Sequence, residues 1–298
     1  MKPVQYFDGH IVINLFGIMI RIKKSFPYKC PEVKECGVTA NSEKIVVSLT
    51  SFPERINIAV KTTKTLLTQT MKPDVVVLWL APEQFPGGEK DLPEKLLRLK
   101  DFGLTIDWYK DIRSYKKIIP ALEKYPDSII ITTDDDIYYA PDTVETLYKS
   151  YLEHKDEVQA HRCDWLKIED KTISWEKTRE LYLDRHRGQA SFRNRLTGYG
   201  AVLYPPNCFY KDCTDEEIFR ELIPTHDDVW LWAMATLNGY KTRLVKGYSE
   251  SINYVEDSQQ YGLCKVNKKG VGMSLDEAYQ VMLKKYPQIL EILEEECI

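Results

Sequence analysis

The sequence predicts an α/β fold with a mostly parallel central sheet flanked by helices, and three observations support this prediction. Short apolar segments typical of buried strands recur through the first half of the chain. Segments with apolar residues at helical spacing separate them. Polar clusters follow three of the apolar segments directly, as expected where parallel strands end at a common edge of a sheet.

Strands and helices alternate along residues 44–153. The predicted strands cover residues 44–50, 75–80, 104–108 and 128–133. The predicted helices cover residues 54–70, 93–100, 115–124 and 141–153. Strands and helices in strict alternation form parallel sheets that are covered by helices on both faces.

The elements are less regular in the second half of the chain. We expect a strand after the glycine-flanked segment 198–200 and a helix over residues 227–238. A terminal helix over residues 274–295 should begin at Ser274, with Glu277 completing a capping box. With 298 residues, 43% of them hydrophobic, the chain can bury the core of one large domain.

Residues 1–30 are predicted to form an N-terminal β-hairpin extension. The apolar run over residues 11–20 is too short to span a membrane, and no signal cleavage site follows it. Gly17 divides this run in two, which favours a turn between strands. The hairpin either packs on the main domain or contacts an anionic membrane surface through the basic residues that follow, Arg21, Lys23 and Lys24.

Composition restricts the class of protein. The net charge of −4 argues against a dedicated nucleic-acid binder, which needs a basic face. The seven cysteines include no C-x-x-C pair, which argues against a zinc knuckle or a thioredoxin-like site. Reduced thiols in a cytoplasmic protein are the expected state, with the inner face of the cell membrane as a possible site of peripheral contact.

Three consecutive aspartates, Asp134, Asp135 and Asp136, follow the apolar strand over residues 128–133. Adjacent carboxylates repel one another unless a cation or solvent neutralises them. Mg²⁺ or Mn²⁺ prefers such all-oxygen ligands and can bridge them to a diphosphate. Alternation along the strand puts Asp134 and Asp136 on the same side, so these two are the predicted metal ligands. The alternative is a solvated acidic turn.

A second pair of carboxylates, Asp227 and Asp228, opens the predicted helix over residues 227–238. Acidic side chains stabilise the start of a helix, so capping alone is one interpretation. A general base that takes a proton from a hydroxyl group is the other. His226 precedes the pair and is either a structural histidine, a metal ligand or a phosphate contact.

These motifs resemble a known family. An Asp-x-Asp at the end of an apolar strand within a β-α-β half resembles the GT-A fold of glycosyltransferases, which is Rossmann-like. The run over residues 66–74 is similar to the helix-to-strand passage of family 2 glycosyltransferases. The runs over residues 48–56, 132–139 and 227–230 resemble a group of bacterial cell-surface polysaccharide glycosyltransferases.

The resemblance implies that a sugar passes, with inversion, from a nucleoside-diphosphate sugar to a hydroxyl of a glycan or lipid-linked glycan. It divides residues 44–298 into a nucleotide-binding half, 44–153, and an acceptor half, 154–298. Asp228 matches the position of the general base, with Asp227 beside it. The residues that it places near the donor are Thr50, Ser51, Arg55, Asp134 and Asp135, and we add Asp111 as a base or ribose contact and Lys117 as a phosphate contact.

Two other functions compete with this interpretation. A metal-dependent nucleotidyltransferase or phosphotransferase shares the acidic strand end and the parallel sheet. Such enzymes usually carry a glycine-rich or basic phosphate loop after the first strand, where this chain has Ser51-Phe52-Pro53. A non-catalytic glycan-binding protein that reuses the fold is the third possibility, and the two intact carboxylate clusters argue against it.

Overall fold

The computed structural model describes residues 4–7, 10–15, 18–23, 30–39, 44–175, 186–245, 253–261 and 273–296. The predicted turn at Gly17 and the basic residue Lys24 lie outside the described residues. The side chains of residues 4–23 also lie outside the described part, so the predicted membrane contact stays a prediction. Within the described part of the chain, no helix combines the length and the apolar character that crossing a lipid bilayer requires.

Sixteen strands are described. They are β1 Val4–Phe7, β2 His10–Leu15, β3 Ile18–Lys23, β4 Ile45–Thr50, β5 Val75–Leu80, β6 Leu104–Trp108, β7 Ile129–Thr132, β8 Ile137–Tyr138, β9 Glu157–Ala160, β10 Cys163–Glu169, β11 Thr172–Trp175, β12 Ala190–Ser191, β13 Asn194–Leu196, β14 Val202–Tyr204, β15 Lys241–Leu244 and β16 Asn253–Tyr254. The described α-helices are α1 Ile56–Leu66, α2 Glu94–Leu97, α3 Ile119–Lys124, α4 Thr143–Glu153, α5 Glu216–Leu222, α6 Asp227–Leu237, α7 Leu275–Lys285 and α8 Gln288–Glu295.

An eight-stranded sheet forms the centre of the fold, in the order β12-β15-β9-β14-β7-β4-β5-β6. Strands β7, β4, β5 and β6 are parallel to one another, and β9 and β15 are also a parallel pair. Strand β14 is antiparallel to both of its neighbours, β7 and β9. The predicted fold class, a mostly parallel sheet flanked by helices, is confirmed.

Apolar residues point to both faces of the sheet, because helices cover both faces. Along β4, Ile45, Val47 and Leu49 join a core that includes residues of α1, α2 and α4. Val46 points the other way, into a core formed with α3 and α5–α8. Trp230 and Trp232 of α6 are fully buried in this second core.

The order of the strands creates a crevice at one edge of the sheet. Strand β4 pairs with β5 on one side and with β7 on the other, so the direction of winding reverses between β4 and β7. Ligands of open α/β sheets bind where the carboxyl ends of such strands diverge. The residues that follow β4 and β7 are Ser51 and the acidic run, and they lie next to each other at this point.

A separate antiparallel sheet, β1-β2-β3, forms at the N-terminus. The hairpin predicted for residues 1–30 is β2 and β3, with Leu15 opposite Ile18. Strand β1 joins the outer side of β2, with Val4 opposite Ile13. The N-terminal hairpin is therefore confirmed, and it is one strand larger than predicted.

Several predicted helices are divided in the structure. The helix predicted over residues 93–100 consists of α2 followed by a 3-10 turn, Arg98–Phe102. The helix predicted over residues 115–124 consists of a 3-10 turn, Arg113–Lys117, followed by α3, in whose first turn Pro120 is tolerated. The predicted terminal helix is split between α7 and α8, because Pro287 disfavours helical geometry at the residue before it. The capping box of Ser274 and Glu277 is present as predicted.

Candidate active site

The central aspartate of the acidic run fixes the turn to the body of the protein. Asp135 is buried, and the Ser51 hydroxyl donates a hydrogen bond of 2.5 Å to its carboxylate. The Arg55 Nε atom lies 3.3 Å from the other carboxylate oxygen. The Thr62 hydroxyl of α1 donates to the Asp135 main-chain oxygen at 2.8 Å. Asp135 therefore positions the run against β4 and α1.

Arg55 links Asp135 to its neighbour Asp136. The Arg55 Nη2 atom makes an ion pair with Asp136, and both side chains are largely buried. The Gln259 side-chain amide donates to the same Asp136 oxygen at 3.0 Å. In the structure Arg55 therefore neutralises two carboxylates of the acidic run, and its predicted contact with the donor diphosphate stays a prediction.

Asp134 has a different cationic partner. Its carboxylate lies 2.9 Å from Lys117 Nζ, and its main-chain N–H donates to the Tyr139 hydroxyl at 2.8 Å. The side chain remains 32% exposed, so a ligand can reach it. Strand β7 ends at Thr132, so strand alternation does not govern the turn, and Asp134 and Asp136 face different cations.

Lys117 joins the acidic run to the start of α6. Its buried ammonium lies 2.9 Å from Asp134, 2.9 Å from Asp227 and 4.0 Å from Asp228. Burial alone would lower the pKa of Lys117, but these three carboxylates raise it well above its usual value. Lys117 is therefore a permanent positive charge at the point where the two acidic motifs meet.

The two aspartates of α6 have different environments. Asp227 is buried and accepts a 2.7 Å hydrogen bond from the Ser114 hydroxyl. Asp228 accepts a 3.0 Å hydrogen bond from the Gly198 N–H, and its side chain is 26% exposed. Its other oxygen, Oδ1, is buried and has no hydrogen-bond partner among the described residues. Asp228 is therefore held through one oxygen and keeps an unsatisfied acceptor on the other, as a general base requires.

Gly198 makes close contacts with the ends of two side chains of the site. A Cβ atom there would lie 2.7 Å from Lys117 Nζ and 2.8 Å from Asp228 Oδ1. Real Cβ atoms do not come so close to other heavy atoms. The missing side chain therefore lets the backbone hold Asp228 directly beside Lys117.

The titration of these groups reflects their burial and crowding. Burial raises the pKa of Asp135 to about 7 and that of Asp136 to about 6. Burial also raises the pKa of Asp228 to about 6, and the charge of Asp227 adds to this effect. The pKa of Asp227 is lowered, because Lys117 outweighs the effect of burial. The pKa values of the two α6 carboxylates are therefore shifted in opposite directions.

The remaining predicted residues lie around this centre with partners of their own. The Thr50 hydroxyl donates to the main-chain oxygen of Trp79 at 2.8 Å. Asp111 is 34% exposed and forms a 2.5 Å ion pair with Lys116. It also accepts a hydrogen bond from Gln84 at 2.9 Å. Their predicted roles in donor binding stay predictions.

His226 has a backbone partner. Its Nε2 atom lies 2.8 Å from the main-chain oxygen of Met273, which ties the start of α6 to residue 273. If Nε2 carries the proton, Nδ1 keeps the lone pair that a metal ion binds. The predicted role of His226 as a metal ligand therefore stays a prediction.

Several residues of the site were not predicted from the sequence. Ser114, Tyr139 and Gln259 all contact the acidic residues. Gln259 lies 123 positions from Asp136 in the chain, and no motif marks it. Tyr139 lies within the run over residues 132–139 that carries the resemblance, so this motif was the available signal for it.

We expect the free energy of unfolding of the metal-free protein to fall as the pH rises from about 4 to about 7. The raised pKa values of Asp135, Asp136 and Asp228 mean that the folded protein binds more protons than the unfolded chain in this window. Raising the pH therefore favours the unfolded chain. Urea unfolding in EDTA at several pH values measures this slope.

A matched pair of variants tests the origin of the slope. Asp135→Asn should reduce the slope, because the amide does not titrate while Asp136 and Asp228 still do. Asp107→Asn removes a partly exposed carboxylate that pairs with Lys124, and it should leave the slope unchanged. A stability that rises with pH across this window would contradict the prediction and show that Arg55 and Lys117 outweigh burial.

Comparisons with known proteins give distant structural likenesses. No family model matches the chain, and no curated protein sequence matches it. The mannosyltransferase PcManGT from Pyrobaculum calidifontis, solved with GDP-Man and Mn²⁺, is 13% identical with a TM-score of 0.49, over 90% of this chain and 77% of that chain. A 4-diphosphocytidyl-2C-methyl-D-erythritol synthase is 8% identical with a TM-score of 0.44, over 76% of this chain and 99% of that chain.

A third solved structure is the inositol-1-phosphate CTP transferase from T. maritima. It is 14% identical with a TM-score of 0.41, over 78% of this chain and 99% of that chain. Likenesses as distant as these carry no argument about activity. The resemblance to family 2 glycosyltransferases stays a prediction, and the function has to be argued from the residues of the site.

Proposed function

We propose that this protein is a metal-dependent glycosyltransferase that moves a sugar from a nucleoside-diphosphate sugar to a hydroxyl of a glycan or lipid-linked glycan. One observation carries the proposal. The acidic run after β7 and the carboxylate pair at the start of α6 meet around one buried ammonium, that of Lys117. Sugar transfer needs both parts, a place for the departing diphosphate and a base for the incoming hydroxyl.

The proposed metal ligands, Asp134 and Asp136, offer carboxylate oxygens, which a hard divalent cation prefers, and they pair with Lys117 and Arg55 in this structure. Among the described residues, no group of three or more His, Cys, Asp or Glu side chains is arranged to hold a metal ion. Mg²⁺ and Mn²⁺ need fewer protein ligands when substrate phosphates and water complete the shell. Asp134 and Asp136 would hold the ion, which would supply positive charge beside the departing diphosphate. The raised pKa of Asp136 reflects burial and the charge of Asp134, which a cation would offset.

In this proposal the chain's own residues perform the remaining steps. Arg55 and Lys117 add positive charge where the diphosphate leaves. Asp228 accepts the proton of the acceptor hydroxyl, and the Gly198 N–H keeps its carboxylate oriented. The acceptor oxygen forms a bond to the anomeric carbon as the bond from that carbon to the phosphate oxygen breaks. Attack from the side opposite the leaving group inverts the configuration at this carbon.

Nucleotidyl transfer is the less favoured alternative. It would need groups that hold a triphosphate after β4, where the chain has Ser51-Phe52-Pro53 and a 3-10 turn. It would also leave the unpaired carboxylate oxygen of Asp228 without a role. A role in cell-surface polysaccharide synthesis and an action at the inner face of the membrane belong to the same proposal, on the strength of the sequence resemblance.

Thermal unfolding with nucleoside diphosphates, nucleotide sugars and Mn²⁺ tests the proposal. We expect one nucleotide to raise the unfolding temperature in the presence of Mn²⁺, since a ligand at 100 times its Kd adds roughly 2.7 kcal/mol. Asp134→Asn and Asp136→Asn should each remove the part of this rise in unfolding temperature that depends on Mn²⁺. Asp107→Asn, which changes a carboxylate in β6, serves as the control.

The products of the reaction separate the alternatives. Incubation with the stabilising nucleotide sugar and a glycan should release free nucleoside diphosphate, and excess EDTA should stop the release. Release of pyrophosphate from a nucleoside triphosphate would establish nucleotidyl transfer instead. Sugar binding without affinity for any nucleotide would establish a glycan-binding protein.

A further inference from the structure

A short segment late in the chain holds Asp136 at two points. Residues 253–261 begin with β16, which pairs with β8, the strand that starts directly after Asp136. The N–H of Val255 donates to the Asp136 main-chain oxygen at 2.8 Å. The side-chain amide of Gln259 donates to the Asp136 carboxylate at 3.0 Å. One segment therefore fixes both the backbone and the side chain of a proposed metal ligand.

This segment is attached to the side of the site that is proposed for the donor. The ammonium of Lys61, a residue of α1, lies 2.9 Å from the carboxylate of Glu256. The 3-10 turn Ser258–Tyr261 packs against the turn Pro53–Arg55 that follows β4. Gln259 therefore approaches the acidic run from the side of β4 and α1.

The amide of Gln259 has a defined orientation. Its nitrogen donates to Asp136 and also to the Ser258 hydroxyl, at 3.3 Å. Ser258 is fully buried, so the position of this second acceptor is fixed by the fold. An ionised carboxylate only accepts hydrogen bonds, so the nitrogen of the amide, and not its oxygen, faces Asp136. The amide therefore presents its donor to Asp136 in a fixed direction.

The two side chains that contact the Asp136 carboxylate differ in charge. The Arg55 guanidinium is positive, and it reaches the same carboxylate oxygen as the neutral Gln259 amide. A divalent cation bound to Asp136 would repel the guanidinium, because like charges at close range oppose each other. The neutral amide meets no such repulsion. Gln259 is therefore the partner that is able to stay on Asp136 when a cation binds.

We propose that Gln259 is a positioning residue that holds the Asp136 carboxylate in place for the divalent cation. Carboxylates that bind metal ions are themselves hydrogen-bonded, and the loss of such an outer partner costs roughly 10–100-fold in metal affinity. Gln259 acts through Asp136 and not on the substrate. This inference rests on the proposed function, because the cation is the one proposed to lie beside the donor diphosphate.

Binding of Mn²⁺ to the full chain, with and without nucleoside diphosphate, measures this role in the absence of catalysis. Electron paramagnetic resonance follows the signal of free Mn²⁺, which decreases as the ion binds. Gln259→Met keeps the length of the side chain but removes the donor, so it should raise the Kd for Mn²⁺ by roughly 10-fold. Its unfolding temperature without Mn²⁺ should match that of the unaltered protein, because residue 259 is exposed.

Two matched variants of the same segment separate the amide from other effects. Gln260→Met makes the same substitution at the adjacent residue, which is also exposed. Glu256→Gln removes the ion pair with Lys61, in which both side chains are exposed, and keeps the Gln259 amide. Both variants should bind Mn²⁺ as tightly as the unaltered protein.

The outcomes distinguish this inference from the function on which it rests. Equal Mn²⁺ affinity in Gln259→Met and the unaltered protein would overturn the role of Gln259 and leave the metal site in place. So would equal losses in Gln259→Met and Glu256→Gln, because the attachment of the whole segment would then set the affinity. If the unaltered protein bound no Mn²⁺ with any nucleoside diphosphate, the proposed metal dependence would be rejected together with this inference.

Discussion

Asp228→Asn should lower the rate of sugar transfer by roughly 10²–10⁴-fold while leaving the fold intact, the range that a positioned general base contributes. The amide keeps the size of the side chain and can still accept the hydrogen bond from the Gly198 N–H. It cannot accept the proton of the acceptor hydroxyl. Initial rates at saturating donor and acceptor measure the loss of activity. Circular dichroism of the variant shows whether the fold is intact.

A pH profile and a matched control variant test the assignment of Asp228 as the general base. In the unaltered protein kcat/KM should fall as the pH drops through about 6, because Asp228 must be ionised to act as a base. Asp215→Asn changes another aspartate at a helix start, where Asp215 caps α5 by accepting from the Ile218 N–H. Asparagine also caps helices, so this variant should retain full activity. If Asp228→Asn kept more than about a tenth of the activity, the base would be a different group.

Lys117→Met should lower the free energy of unfolding by roughly 3–5 kcal/mol at neutral pH, the cost of leaving buried charges uncompensated. The substitution removes the ammonium shared by Asp134, Asp227 and Asp228 but keeps most of the side-chain volume. The loss should shrink toward pH 4, where the carboxylates can take up protons. Urea unfolding at about pH 7.5 measures the loss of stability, and the same measurement at about pH 4.5 shows whether the loss becomes smaller when the carboxylates are protonated.

Lys116→Met is the matched control, because Lys116 is the adjacent buried lysine. It pairs with Asp111, which is 34% exposed and can be hydrated after the lysine is removed. We therefore expect a smaller loss of stability. Equal losses in the two variants, or a loss below about 1 kcal/mol for Lys117→Met, would show that Lys117 does not hold the acidic motifs together.

Local patterns predicted much of the fold. The four parallel strands from β4 to β7 match the predicted segments to within a residue at each end. Strands β4, β5 and β7 are almost entirely buried, whereas β6 is largely half-buried. The acidic run after β7 and the carboxylates of α6 were also evident as motifs. These features depend on residues that are close together in the chain.

Features that depend on long-range contacts could not be predicted in the same way. Lys117 was predicted as a phosphate contact, whereas in the structure it joins two motifs that are 93 positions apart, Asp134 and Asp227. Arg55 was predicted to contact the donor, and the structure pairs it with Asp135 and Asp136. Such pairings arise where the turns after β4, β6 and β7 meet the start of α6, which no local pattern specifies.

The tight approach at Gly198 also restricts how this chain can diverge over time. A methyl group at that position would collide with the side chain of residue 117 as well as with Asp228. A lineage that replaced this glycine would have to displace the end of the lysine and the carboxylate of Asp228. Substitutions at residue 198 should therefore be uncommon in homologous sequences and should occur mainly where residue 117 or 228 has changed too.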